Sequence, residues 1–565
     1  RKLFDPDKIA TAISQNLDRD LSSAHQMYGG GNSLQEFYSS VQRASTLKKY
    51  DSAVGNVDEL EQAAFKQFLS TNCRLREFNR NFRPPRDIPA KHLHPIELTL
   101  KRARALVHWV LRDIAWSELV EYASHSGGVT KGVKFSDTSW EAKFTYPMST
   151  TRVVANLYNQ YLRENKQFAF AVENLNSRQI VSERFDYTRS SRATTVPKSS
   201  DKRRMIAIEP TLNMFFQQAL MTVMYKRLKD VDLDVESLPF RHTELAWQGS
   251  VSGKLATIDF SSASDCVSIE LLRYLLPPRW FRYVTMFRCP SMEILGSTVK
   301  LEMVSTMGNA GTFPLETLVF WALGVGTVMQ RTRTNPNSLL SLPEERDLVS
   351  VFGDDCILPT VDAEAFMANA EAVGFVVNKE KSFYDDMPGF RESCGGDYLR
   401  GSNVRPVCIK APTSTRVSAL EPWLYTILNS LQTKYISYFG ELRYVYGQQA
   451  FEYIFALFRK YKLKVKLVPP DFPEDSGFQT GDWRRFDACY DIPWDKVHTS
   501  DQGWAHFRYC RFVYDDRRPR NDPLRYAMWL RRPIVRNEWW APEKLVQKEL
   551  FPLRKRGGYV VAKAL

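Results

Sequence analysis

The sequence contains no C-x-x-C pair, and its eight cysteines (73, 266, 289, 356, 394, 408, 489 and 510) show no zinc-like spacing with its eight histidines. That excludes finger and ribbon modules held by zinc and reads as scattered thiols of a reducing compartment. Long apolar runs are also missing. The most apolar window, Phe313 to Met329, is interrupted by Glu316 and falls short of the roughly 20 residues a membrane span needs. No secretory h-region follows Arg1-Lys2-Leu3-Phe4-Asp5, and a chain that begins at Arg1 is expected to be truncated or processed. Gly127-Gly-Val-Thr-Lys-Gly132 has the glycine spacing of a phosphate loop, but Val133-Lys134 follows where Lys-Ser/Thr is required. A surface loop, or a loop lining a nucleic-acid channel, is left. No internal repeat or low-complexity tract is present.

What the chain does have is positive charge. The formal net charge is +13 and the isoelectric point near 9.2, which favours a polyanionic partner, nucleic acid before anionic membrane, with plain solubility as the alternative. From His506 onward there are 15 Lys/Arg against 6 Asp/Glu. A hydrophobic fraction of 44% and an aromatic fraction of 13% describe a folded protein. Its 565 residues exceed what one core organises, so about three or four subdomains are expected.

Periodicity places several elements. Val57, Leu60, Ala64 and Phe68 share one helical face, and Arg83-Pro84-Pro85-Arg86 ends that region. Pro95 opens a helix with a wide stripe of Leu100, Ala103, Leu106, Val107, Val110, Leu111 and Ile114. Thr211 to Lys229 reads as helix, 230–253 as loop, and Leu255 to Ile258 as strand. Later stripes are Leu424, Ile427, Leu428 and Leu431, then Phe451, Ile454, Phe455 and Phe458. Lys462-Leu-Lys-Val-Lys-Leu467 alternates with period two, predicting a strand with three lysines on one face. Pro469-Pro470-Asp-Phe-Pro473 suggests a boundary, and Trp529, Trp539 and Trp540 among arginines suit phosphate contact with base stacking, or an ordinary core.

Acidic residues supply the chemistry. Two β-forming runs, Val349 to Phe352 and Cys356 to Leu358, flank Gly353-Asp354-Asp355, which predicts a hairpin with two carboxylates at its tip. A solvated turn is the plain alternative. Asp259, at the end of the strand Leu255 to Ile258, opens Asp259-Phe-Ser-Ser-Ala-Ser-Asp265. If that strand neighbours the hairpin, Asp259 and Asp354 can share two divalent cations. Mg²⁺ prefers hard oxygen ligands, and a pair of such ions serves in-line phosphoryl transfer. Upstream, Arg189, Arg192, Lys198, Lys202, Arg203 and Arg204 read either as a solvated loop or as a clamp for a triphosphate. Ser305-Thr-Met-Gly-Asn-Ala-Gly-Thr-Phe313 reads as a glycine-rich loop entering a buried helix, with or without a nucleotide beside it.

The order of these elements resembles the palm of viral RNA-dependent RNA polymerases, and more closely the replicase subunit of the leviviruses, small positive-strand RNA bacteriophages. The match is carried by residues 248–265, Leu276-Pro-Pro278, Ser305-Thr-Met-Gly-Asn309, Phe352-Gly-Asp-Asp355, Phe390-Arg-Glu-Ser-Cys-Gly395, Val196-Pro-Lys198 and Glu209-Pro210. The resemblance implies an α+β right-hand polymerase with an antiparallel-sheet palm: N-terminal region and fingers over 1–250, including the clamp at 189–210, palm over 251–410, and thumb with a basic C-terminal region over 411–565. It implies template-directed joining of ribonucleotides. Asp259, Asp354 and Asp355, with the Phe260 carbonyl, would hold two Mg²⁺ ions, Mn²⁺ being a substitute, and Asp354 would be the principal ligand. Lys198 and Arg204, neighboured by Lys202 and Arg203, would grip the triphosphate. Asp265, Ser305 and Asn309 would sit near the ribose 2′-hydroxyl, Gly308 would also bind the nucleotide, and Lys381 would protonate pyrophosphate. Expected partners are template and nascent RNA, ribonucleoside triphosphates, elongation factors Tu and Ts and a ribosomal protein, in the bacterial host's cytoplasm and away from membranes. A reverse transcriptase-like enzyme and a non-enzymatic basic RNA scaffold are the alternatives.

Overall fold

A computed structural model describes residues 3–27, 33–50, 57–89, 92–134, 137–177, 183–332, 347–412, 414–439, 448–480, 494–495, 497–499, 504–514 and 553–563. Helices and several small sheets are mixed along the chain. Trp529, Trp539, Trp540 and the Gly29 to Asn32 loop lie outside the described residues.

The helix Thr312–Arg331 is the centre of the largest core. From Leu315 to Met329 every residue is buried, as expected for a helix apolar on all sides. By length and composition it is long enough to cross a membrane, yet it is almost wholly enclosed by protein. Helices Pro95–Leu111, Thr211–Lys229 and Thr360–Ala372 pack around it. Pro95 sits at the start of its helix, and the Glu97 carboxylate accepts the His94 backbone N–H at 2.9 Å, satisfying one of the donors that a helix start leaves open. All seven residues of its predicted stripe are buried.

Against this core lies a three-stranded antiparallel sheet. Its central strand, Asp355–Pro359, pairs with Leu255–Ile258 on one side and Ser350–Phe352 on the other. A second, four-stranded sheet contains the basic segment. Ser190–Ser199 and Lys202–Ile208 form an antiparallel hairpin, and Ser190–Ser199 pairs in parallel with Ser291–Ile294. The helix Val57–Asn81 covers this sheet, with Phe65, Phe68 and Leu75 packed on Met205, Ala207, Met292 and Met303. Its apolar face begins later than the pattern suggested, because Val57 is 40% exposed.

A further core joins distant parts of the chain. Phe4, Ile9, Ile13, Leu17 and Leu21 pack with Leu424, Leu428, Ile454 and Phe458. The Asp20 carboxylate accepts the backbone N–H groups of Gln449 and Ala450 at 2.9 and 3.1 Å. It thereby caps the helix Gln448–Lys460 from 429 residues away in sequence.

Two expectations are corrected. Within 230–253, read as loop, Leu238–Ser252 is a helix closed by Gly253 in the left-handed conformation. Its inward stripe, Leu238, His242, Ala246, Gly249 and Ser250, has helical spacing but little apolar character, so hydrophobic periodicity does not reveal it. At 462–467 the alternation does not form a basic strand face. Lys462 has a left-handed backbone, the strand begins only at Leu467, and the Lys466 ammonium pairs with the buried Glu421 carboxylate.

Candidate active site

The hairpin tip is held by the helix beneath it. Gly353 has φ +66°, its N–H donates to Thr317 Oγ1 at 2.9 Å, and a β-carbon there would lie 2.6 Å from the Phe313 ring. Only glycine combines that backbone with that contact. Phe313 and Phe352 meet edge to face, with ring centroids 4.7 Å apart.

Register then brings the third acid in. Ile258 pairs with Cys356, so Asp259, one residue on, falls level with Asp355 at the same end of the sheet. Asp259 is anchored by the segment behind it: Asn378 Nδ2 donates to its Oδ2 at 2.7 Å, and Asn378 N–H donates to its carbonyl at 2.9 Å. The Phe260 ring is stacked on Phe320 at 4.3 Å, which fixes the backbone carrying its carbonyl.

The charges are placed at a cost. Burial raises the Asp354 pKa, and the neighbouring Asp259 charge raises it further, against Arg204 and Lys198. Burial and then Asp354 push Asp355 up to about 6, opposed by hydrogen bonds from Cys394. Carboxylates that desolvate and repel one another are a site that a cation would relieve. Among the described residues no three His, Cys, Asp or Glu side chains form a ready cage for a metal ion. The hard oxygen donors present fit Mg²⁺, which is commonly held by one or two carboxylates together with substrate phosphates.

Cations face these acids. The Lys198 pKa is lowered by burial, then by Arg204 and Lys381, while Asp259 and Asp354 pull it back. Lys198 and Arg204 therefore face the acidic tip, with Lys381 near Lys198. Arg203 does not: its Nε donates to Thr195 Oγ1 at 2.8 Å and its guanidinium lies 3.6 Å from Glu61. Lys202 is exposed and pairs with Ser199 beside the hairpin turn.

The Ser305 to Thr312 loop lies against the basic hairpin, with Ala207 N–H donating to the Met307 carbonyl at 2.7 Å. Gly308, at φ +103°, occupies the closest approach, against the Ala207 carbonyl. Asn309 fastens the loop: its Oδ1 accepts Thr306 N–H and Oγ1–H, both at 2.9 Å, and its Nδ2 donates to Gln217. Ser305 Oγ and Asp265 Oδ1 are buried without a hydrogen-bond partner. Burial pushes Asp265 up to about 7, against a Met307 backbone hydrogen bond and the Arg204 charge.

Sequence reasoning missed Glu316 as a site residue. It is buried, its Oε1 has no hydrogen-bond partner, and Ser264 Oγ donates to Oε2 at 3.3 Å. Burial, then Asp354, hold its pKa well above the ordinary value. The signal was a carboxyl group interrupting an otherwise apolar helix.

A family model described as RNA replicase, beta-chain, matches residues 5–434. The chain belongs to the RNA replicase beta-chain family. Within that family it is 33% identical over 377 residues to the RNA-directed RNA polymerase subunit beta of Enterobacteria phage SP, covering 66% of this chain and 60% of that one. It is 32% identical over 372 residues to the subunit of Escherichia virus Qbeta, covering 65% and 58%. To the beta chain of Escherichia phage MS2 it is 35% identical over 238 residues, covering 42% and 40%. The chain thus spans about three fifths of the length of the first of these relatives. A solved RNA polymerase complex inside a dsRNA virus is similar at a TM-score of 0.35 and 11% identity, over 76% of this chain and 36% of that chain, too distant to bear on the site. The matched span of the replicase family model includes every acid and cation assembled above.

Proposed function

We propose that this replicase-family chain is an RNA-directed RNA polymerase that copies a phage genome in the infected bacterial cytoplasm. The observation that carries the reading is the convergence of Asp259, Asp354 and Asp355 at one end of a three-stranded sheet, faced by Lys198 and Arg204. The architecture is that of a right hand, with fingers over 1–250, an antiparallel palm over 251–410 and a thumb beyond.

Asp259, Asp354 and Asp355, with the Phe260 carbonyl, would hold two Mg²⁺ ions, or Mn²⁺ in their place. When bound, such a pair lowers the pKa of an attacking hydroxyl and neutralises charge on the leaving oxygen. The chain's own residues do the rest. Lys198 and Arg204 neutralise the incoming triphosphate, with Lys202 a neighbour of that grip and Arg203 turned away to Glu61, and Lys381 hands a proton to departing pyrophosphate. Asp265 Oδ1 and Ser305 Oγ, buried and unpartnered, receive the ribose 2′-hydroxyl, while Gly308 and Asn309 hold the loop in place. A deoxyribose would leave both groups unsatisfied, and a site built around a hydroxyl rejects the analogue lacking it. Template and nascent RNA are the macromolecular substrates, and elongation factors Tu and Ts and a ribosomal protein are the partners that the family resemblance implies.

Competing ribo- and deoxyribonucleoside triphosphates in one extension assay on an RNA template test this reading. Strong preference for ribonucleotides is expected. Equal use of both would favour a reverse transcriptase-like enzyme, and no incorporation with any divalent metal would favour an RNA-binding scaffold.

A further inference from the structure

Cys394 and Gly395 make the two-residue turn between strands Phe390–Ser393 and Gly396–Leu399, with Ser393 paired to Gly396. Both residues have left-handed backbone, φ +47° and +82°, the pattern of a type I′ hairpin. The first position of such a turn favours Asn, Asp or Gly, because a β-carbon is strained there. Cysteine brings no advantage to the turn itself, and strain of this kind persists where something else requires the residue.

That requirement is in reach. Cys394 N–H donates to Asp355 Oδ2 at 3.1 Å, and Cys394 Sγ donates to the same oxygen at 3.4 Å. The turn is itself fixed from below. Ser393 Oγ pairs with His242 Nδ1 at 2.8 Å, and the buried Arg391 donates through Nε to the Leu255 carbonyl at 2.7 Å. The hairpin is thereby docked on the strand that ends at Asp259. Its outer residues, Phe390 and Leu399, pack against the core shared by the chain's first helix and its C-terminal helices.

We propose that Cys394 is a positioning residue for the acidic site: its backbone and thiol together hold Oδ2 of Asp355 and leave Oδ1 as the oxygen available to a divalent cation. The inference rests on the polymerase reading of Asp355 as a metal ligand. It assigns the hairpin 390–399 the task of setting the orientation of the acid, with the turn conformation strained in consequence.

The test is Mn²⁺ binding to the full chain without nucleotide, followed by electron paramagnetic resonance of free Mn²⁺, beside urea unfolding of the same samples. Cys394→Gly should weaken Mn²⁺ binding about ten-fold, the lower end for loss of a group that orients a ligand. Its urea midpoint should not fall, because glycine relieves the left-handed strain. Cys394→Ser, which keeps a donor, should bind Mn²⁺ within about two-fold of wild type, well inside that loss. The proposal is overturned if Cys394→Gly binds Mn²⁺ as wild type does, if wild type binds none, or if both variants lose affinity in step with a fallen midpoint. Failure of wild type to incorporate ribonucleotides would instead overturn the polymerase reading, with the Mn²⁺ titration still deciding the role of Cys394.

Discussion

Gly308→Ala puts a methyl group where the Ser305 to Thr312 loop touches the basic hairpin. The new Cβ would fall against the Ala207 carbonyl oxygen at less than 3.0 Å and lie 3.1 Å from the Ala207 nitrogen, on a backbone at φ +103°. The left-handed conformation alone costs an L-residue about 1–2 kcal/mol. Restoring ordinary contact requires about 1 Å of movement between loop and strand, and overpacking of this kind costs about 1–3 kcal/mol more. That movement breaks the Ala207 to Met307 hydrogen bond and disturbs the Met307 backbone hydrogen bond that holds Asp265 near Arg204. A misplacement of about 1 Å near reacting groups lowers turnover about 100-fold. Gly296→Ala is the control: its φ is +79°, yet nothing lies within 4 Å of the new methyl. Urea unfolding and single-nucleotide extension with ribo- and deoxyribonucleotides compare the two. Gly308→Ala should be the less stable, turn over about 100-fold slower and discriminate sugars less well. Equal stability of the two variants, with wild-type turnover and discrimination in Gly308→Ala, would refute the argument.

Two further outcomes follow from the electrostatics. Burial pushes Asp355 up to about 6 and Asp265 up to about 7, from 3.8. Across that range the folded chain holds protons that the unfolded chain has released, so stability falls as pH rises through the window. The urea midpoint of the metal-free chain should be lower at about pH 7.5 than at about pH 5.5, and Asp265→Asn should flatten part of the slope; a flat wild-type profile would contradict this. Lys198→Met removes one of the two cations, Lys198 and Arg204, that face Asp354. It should raise KM for nucleotide by about ten- to a hundred-fold, the worth of a hydrogen bond to a charged group, in steady-state extension. An unchanged KM would remove Lys198 from the triphosphate grip.

The parts of this chain that are legible in its sequence are those whose signal is local. The Gly353-Asp354-Asp355 hairpin, the strand before Asp259 and the Pro95 helix announce themselves through turn chemistry and periodicity, and register alone then brings Asp259 level with Asp355. Glu316 was visible only as an interruption of an apolar run, because its significance depends on Ser264 and Asp354 arriving beside it. The helix Leu238–Ser252 escaped because it buries His242, Gly249 and Ser250 where a pattern reader looks for Leu and Val. Arg203 and Arg204 are adjacent in a basic run, yet strand alternation sends them to opposite faces, one to Glu61 and one toward the acids. The pairing of Asp20 with the helix at Gln448 has no local trace at all.

The most direct test of the central claim is ribonucleotide incorporation on an RNA template by Asp354→Asn, measured beside RNA binding. The substitution keeps the side chain's shape and removes the charge that the half-buried tip is built to carry. Wild type should extend only with a divalent cation, and Asp354→Asn should bind RNA normally while its incorporation falls below detection. Incorporation by Asp354→Asn at the wild-type rate would contradict the account.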